Sequence, residues 1–465
     1  MTDCTTDPMS TNEAVPNSLD DRYGSTSDAV QSPDAATSDK CNDEEDDASS
    51  FVSETSTIEY TQEPYTTFQL KAADLSKELF PGHATEDITL ERMKGGSYNR
   101  IVGVALTKHQ PKLSWYSMAK IRTMLSACVR GKFFKAPSSK QYILRIPRED
   151  VHDLCDQAVT LAYLERALPY PVPKVVSYDS SSNNALGRVY MVQKRLAGQP
   201  LSQLWYSLSL EQRRSAARYI AEIVRDLHQV KNTCAGVISS RNTAHGLAVG
   251  PIKLEPVPVP GFINPTNISK NAHLAQPLST QDFLLSLISR QRIAAQMNDM
   301  PPFDHIWTGF IAMINKLYSQ DLLPDTDMFH LYHPDLQSRN LLFTTPTPTT
   351  VCLTGILDWD NAMFVPSFMS TRSPFFRWTG EGADEDEEKD ALIEPDNPEM
   401  REYEQIFANV VGEEFCKSAY QLELVFLRRM WRFLVNGIRS GSDQLSAEEL
   451  LQDWESVHPV FTVGE

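Results

Sequence analysis

No run of about 18 consecutive apolar residues occurs in the 465-residue chain, so a membrane-spanning helix is not expected. Cysteine is sparse: seven residues, at positions 4, 41, 128, 155, 234, 352 and 416. The number is odd and no C-x-x-C pair exists, which excludes a zinc ribbon and a secreted disulfide framework and predicts free thiols in a reducing compartment. The N-terminus has no apolar core of a secretory signal, and it is acidic where a mitochondrial presequence would be Arg-rich. The expected compartment is the cytosol, with the nucleus left open. Positive charge is also short. Against 61 Asp and Glu stand 43 Lys and Arg, a net charge of −18, so a nucleic-acid partner is not expected. There is no internal repeat.

The negative charge is unevenly placed. Residues 1–65 carry −14 and residues 381–400 carry −9, which leaves a body of about +5. Residues 1–65 are Ser, Thr, Asp and Glu with scattered Pro, and offer too little apolar surface to offset the entropy of ordering. They are expected to be a disordered acidic tail, with structure beginning near Phe68.

The rest predicts α+β segregation into two lobes, a strand-rich part over 66–196 and a mostly helical part over 197–465. Ile88–Met93 and Ile101–Leu106 read as strands joined by a turn at Gly95-Gly96. Residues 107–140 form a basic insertion with eight Lys and Arg. Tyr142–Ile146 and Val189–Leu196 read as strands, and residues 151–167 as a helix ended by Pro169, Pro171 and Pro173. Ser209 with Gln212 predicts a capping box before a helix whose apolar face is Ala216, Ile220, Ile223, Val224 and Leu227. Residues 231–275 read as loop. Helices are expected at 280–296, 304–319, 400–412, 415–438 and 446–455, the last capped by Ser446 and Glu449, and strands at Leu341–Phe343 and Val351–Leu357.

The densest chemistry lies in His333-Pro334-Asp335-Leu336-Gln337-Ser338-Arg339-Asn340, followed by an apolar strand, a second apolar strand and Asp358-Trp359-Asp360. An Asp five residues before an Asn, with a further Asp closing the next strand, suits phosphoryl transfer. A nucleoside triphosphate brings Mg²⁺, which takes hard oxygen ligands from one or two side chains beside phosphates and water. Asp358 and the Asn340 oxygen can supply them, while Asp335 remains free to accept the proton of an attacking hydroxyl.

These motifs resemble the aminoglycoside phosphotransferase family, the small-molecule branch of the protein-kinase-like fold, with its catalytic loop H-x-D-x-x-x-x-N and metal motif D-W-[DE]. The block Asp358–Pro366 and the segment Val172–Asp179 are similar to the large fungal subgroup of that family, and the resemblance spans residues 85–460. It implies a bilobal protein-kinase-like fold, ATP or GTP as donor, and Mg²⁺. It makes Asp335 the catalytic base, Asn340 a catalytic-loop residue and metal ligand, Asp358 the other metal ligand, and His333 a structural residue. Asp360 could assist the metal or orient Arg339, and a support role is favoured. Gly95, Gly96 and Ser97 would form the nucleotide loop, where glycine lets the backbone approach phosphates. Gln193, in the stretch Met191–Leu196, would mark the linker that meets the purine.

Two positions depart from the family pattern. Arg145 stands where a Lys normally holds the α- and β-phosphates, and a planar fork is not interchangeable with a point charge. Gln157, with Asp153 and Asp156 nearby, stands where the partner Glu is expected. The aromatic group Phe364, Phe368, Phe375, Phe376 and Trp378 suits a core or lid cluster, or the wall of an acceptor pocket. The expected function is Mg²⁺-dependent transfer of a γ-phosphoryl group to the hydroxyl of a small molecule. The alternative is a nucleotide-binding pseudoenzyme or interaction module. A protein kinase is disfavoured, since no D-F-G or A-P-E signature is present.

Overall fold

A computed structural model describes residues 62–93, 95, 98–107, 139–148, 154–240, 252, 254–262, 274–324, 328–374, 388 and 392–459. The expectations placed on residues 1–61, on Gly96 and Ser97, on Asp153, on nearly all of the basic insertion, on Phe375, Phe376 and Trp378, and on most of 381–391 lie outside these residues. The described residues belong to one unit, Ser53–Glu465. Among them no helix is long and apolar enough to cross a membrane.

The first element is a helix that the sequence reading did not assign, α1 (Tyr65–Leu79). Phe68, Ala72 and Leu75 recur at helical spacing and share one buried face. That face packs on a five-stranded antiparallel sheet made of β1 (Ile88–Arg92), β2 (Asn99–Leu106), β3 (Lys140–Pro147), β4 (Val175–Asp179) and β5 (Tyr190–Lys194), in the order β1-β2-β3-β5-β4. Alternation along the strands sends Val102, Val104, Leu106, Leu144, Ile146 and Val192 into the small core under α1. The same alternation turns Arg145 to the opposite face, paired in register with Ile101 and Met191.

Met191 belongs to the larger core, as does the apolar face of α2 (Leu154–Ala167), with Leu154, Ala158, Leu161 and Leu164. The helix between β3 and β4 therefore packs with the larger lobe, although the chain places it among the strands. That lobe is built on α3 (Leu210–Gln229), α4 (Thr280–Met297), α5 (Asp304–Ser319), α6 (Pro398–Val411), α7 (Glu413–Tyr420), α8 (Leu422–Asn436) and α9 (Gly441–Val457). The capping box at α3 is present: Ser209 Oγ accepts from Gln212 N, and Gln212 Oε1 accepts from Ser209 N.

Four expectations change. Residues 231–275 are not all loop, because β7 (Lys231–Asn232), β8 (Gly236–Ile238) and β9 (Leu254–Glu255) join a sheet of order β7-β10-β13-β8-β9. Its other members, β10 (Phe329–Tyr332) and β13 (Met363–Val365), were also unassigned; two to four residues are too few to show a period. The expected helix 415–438 is two helices. Gln421 is extended, with φ −67° and ψ 123°, and Arg428 from α8 donates to the Ser418 and Ala419 carbonyls at the end of α7. A side chain from the following helix thus takes the carbonyls that continued helix would have used. The last helix starts at Gly441, capped by Ser440 with Asp443 rather than by Ser446 with Glu449. The same S-x-x-acid pattern occurs twice here, and the upstream copy is the one used.

Candidate active site

The catalytic loop hangs between two strands held in different sheets. β10 pairs with β13, and β11 (Leu341–Thr344) pairs on one edge with β12 (Cys352–Ile356), Leu341 facing Ile356, and on the other with β6 (Gln199–Pro200). Two hydrogen bonds lock the loop to the metal motif. Leu357 N donates to Asn340 O at 2.8 Å, and His333 Nε2 donates to Leu357 O at 2.9 Å. Since a carbonyl only accepts, His333 carries its proton on Nε2, and Nδ1 accepts from Asp335 N at 3.1 Å. His333 is 3% exposed, and burial pushes its pKa down, so it remains a neutral strut. Its ring lies 4.6 Å from that of Trp359, whose Nε1 donates to Ile356 O at 2.9 Å. The buried Trp359 thereby fixes both of its acidic neighbours.

Asn340 Nδ2 donates to both Asp335 O and Asp335 Oδ2, each at 2.8 Å. The amide nitrogen is consumed by Asp335, which leaves the Asn340 side-chain oxygen without a hydrogen bond among the described residues. Arg339 pairs with the other carboxylate oxygen of Asp335. Asp358 has φ +60°, the left-handed region that an L-residue enters at a cost of about 1–2 kcal/mol. Among the described residues no hydrogen bond or ion pair engages its carboxylate. The side chain reaches solvent at the cleft, but the protein packed around it removes enough water to push its pKa up. Asp360 and Asp335 add repulsion, and Arg145 opposes it.

Asp360 does not touch Arg339. It forms an ion pair with Arg145 of β3, joining the strand-rich lobe to the metal motif. In the sequence Arg145 departs from the family pattern while Asp360 fits D-W-[DE], so nothing there links them. Gln157 offers Arg145 no carboxylate, and its Oε1 is buried without a partner. Gln193 lies within β5, its Nε2 directed to Met191 Sδ at 3.1 Å, so the linker starts at Arg195, later than expected. At Gly95 a Cβ would sit 2.4 Å from Asn99 O, so the hairpin closes on itself there and excludes a side chain. Phe364 and Phe368 are fully buried core residues.

The sequence reading also missed a recess beside the loop. It is walled by Leu336 and Gln337, by Val224 and Leu227 of α3, and by Met369 and Arg372, and it holds about 500 Å³ including the solvent at its mouth.

The family model described as "Phosphotransferase enzyme family" matches residues 130–402, which include the catalytic loop, the metal motif and Arg145. The chain belongs to this family. Two curated proteins of Aspergillus fumigatus strains, each described as a subtelomeric hrmA-associated cluster protein, are 24% identical over 295 residues. The match covers 52% of this chain and 57% of theirs, so it spans little more than half of those relatives. Among solved structures, aminoglycoside phosphotransferase APH(4)-Ia is 14% identical, with 82% of this chain and 98% of that one covered and a TM-score of 0.42. The GDP complex of wild-type aminoglycoside 2'-phosphotransferase-IIIa is 13% identical, with 84% and 99% covered and a TM-score of 0.44.

Proposed function

We propose that this family member transfers the γ-phosphoryl group of ATP or GTP to a hydroxyl of a small molecule, with Asp335 taking the hydroxyl's proton. The observation that carries the reading is the division of labour between the two motifs. Asp335 is clamped by the Asn340 amide, while Asp358, tied to the same loop through Leu357, has an unengaged carboxylate. A clamped carboxylate is a positioned base, and a positioned base contributes about 10²–10⁴-fold.

The donor set fits Mg²⁺. Among the described residues no group of three or more His, Cys, Asp or Glu is arranged to hold a metal. A carboxylate and an amide oxygen are what Mg²⁺ takes when phosphates and water complete its shell. Asp358 and Asn340 would hold the ion, which would neutralise charge on the donor phosphates. The upward shift of Asp358, caused first by desolvation and then by repulsion from Asp360, supports this, because a cation beside the carboxylate would offset both. Gly95, Gly96 and Ser97 are proposed as the phosphate loop, Arg145 as a phosphate anchor and Gln193 as the border of the purine site. Leu336 and Gln337 connect the loop to the recess, which is proposed to admit the acceptor.

A second reading, a nucleotide-binding pseudoenzyme, draws on Arg145 and on the partnerless Gln157. One set of measurements separates the two. Wild type at about 100 times the nucleotide Kd should gain about 2.7 kcal/mol of stability with Mg²⁺, and Asp358→Ala should lose the magnesium-dependent part. Asp335→Asn should keep nucleotide binding and lose at least about a hundredfold in kcat across an acceptor panel. Binding without turnover on any acceptor favours the pseudoenzyme. Wild-type turnover in both variants refutes the site.

A further inference from the structure

Asp358 and Asp360 stand two residues apart on either side of the buried Trp359, yet their surroundings differ. The Asp358 carboxylate is unengaged among the described residues. The Asp360 carboxylate is paired with the Arg145 guanidinium, and the two side chains are only 24% and 10% exposed. A charge-assisted pair so shielded is much stronger than one on the open surface.

The pairing answers a deficit on α2, where among the described residues no carboxylate pairs with Arg145. The helix that would carry a carboxylate toward β3 offers Gln157, whose Oε1 is buried without a partner, and Asp156, whose Oδ1 accepts from the Ser240 backbone N–H. Arg145 draws its counter-charge from Asp360 of the metal motif instead. The contact uses Nη2. The other guanidinium N–H groups make no hydrogen bond among the described residues. A forked cation can hold a carboxylate with one arm and a phosphate with another, whereas an ammonium presents a single point charge.

We propose that Asp360 is a positioning residue that aims the Arg145 guanidinium at the donor phosphates, and that it is not a metal ligand. The proposal rests on the nucleotide site of the preceding reading. In it, the phosphate anchor is assembled only when β3 and the metal motif meet, so nucleotide binding and lobe contact are one event. Arginine at position 145 is then a requirement of the design, because it must serve two oxygen partners at once.

The test measures ADP binding by calorimetry in EDTA and across a magnesium titration, for wild type, Asp360→Asn, Arg145→Gln, the double variant and Arg145→Lys. Asp360→Asn should weaken ADP binding about tenfold or more in EDTA, where no metal contributes. Its half-saturating Mg²⁺ concentration should stay within about twofold of wild type. Arg145→Gln should cost a similar factor, and the double variant little more than either. Arg145→Lys, which keeps the charge, should still bind ADP more weakly than wild type, and it answers the question if Asp360→Asn fails to fold. Unchanged ADP binding in EDTA, with a raised magnesium requirement in Asp360→Asn, would overturn the proposal in favour of a metal role. Fully additive losses would overturn the coupling. Wild type that binds ADP without any turnover refutes phosphoryl transfer alone; wild type that binds no nucleotide refutes both.

Discussion

Lowering the pH from 7 to 5 should destabilise the protein through one buried pair of rings. His228, in the last turn of α3, and His330, in β10, stack with centroids 4.0 Å apart and planes 8° apart. His330 Nδ1 donates to the His228 carbonyl at 2.6 Å. Ser370 Oγ donates to Ser367 O and so accepts from His228 Nδ1 at 2.8 Å. Both rings are therefore neutral Nδ1–H tautomers. Burial, the facing ring and the nearby Lys231 push His228 down to about 3, and burial pushes His330 down as well. A histidine whose folded pKa is depressed gives full stability above its unfolded pKa, about 6.5, and loses it as the pH falls toward the folded value. At pH 5 the unfolded chain binds a proton that the native state refuses, and His228 alone should cost about 2 kcal/mol. His330 adds in the same direction. The assay is urea unfolding at pH 7, 6 and 5 for wild type and His228→Phe, which keeps the stack and removes the titration. The carboxylates titrate in both proteins, so the difference in slope isolates the histidine. Parallel pH profiles for the two would refute the argument. Because Ser370 and Leu331 also line the recess beside the catalytic loop, the strain would fall there.

Glu388→Ala should destabilise by about 3–5 kcal/mol, because the Arg428 side chain is 1% exposed and would lose its only carboxylate among the described residues, 2.6 Å from Nε. Arg372 shares that carboxylate, so urea unfolding should show the loss, and a change below about 1 kcal/mol would contradict the buried-pair reading. Gly198→Ala, at the junction of the lobes, should cost about 2 kcal/mol or more. Its φ is +96°, and an added Cβ would lie 2.6 Å from the Phe343 carbonyl, which is backbone and cannot turn aside. An unchanged melting temperature would show that the linker adapts.

The closeness of Asp335 to Asn340, and the α+β fold class, were legible in the sequence because they rest on local pattern. A short loop between two strands brings Asp335 and Asn340 together whatever surrounds it, and the apolar strands on each side announce themselves. Period-3.6 patterns placed α4 and α5 within a residue, and the Ser209–Gln212 box marked where α3 starts. Tertiary structure decided the rest. Whether 415–438 is one helix or two depended on Arg428 taking carbonyls from α7. β7 and β8 are strands only because β10 and β13 lie beside them, and β9 because it pairs with β8. The Arg145–Asp360 contact joins residues 215 positions apart, and no spacing rule relates them. The sequence marks Arg145 as a departure from pattern and leaves the role of Asp360 open. Only the folded chain, by turning Arg145 to the open face of its sheet and laying the metal motif against it, shows that they are partners.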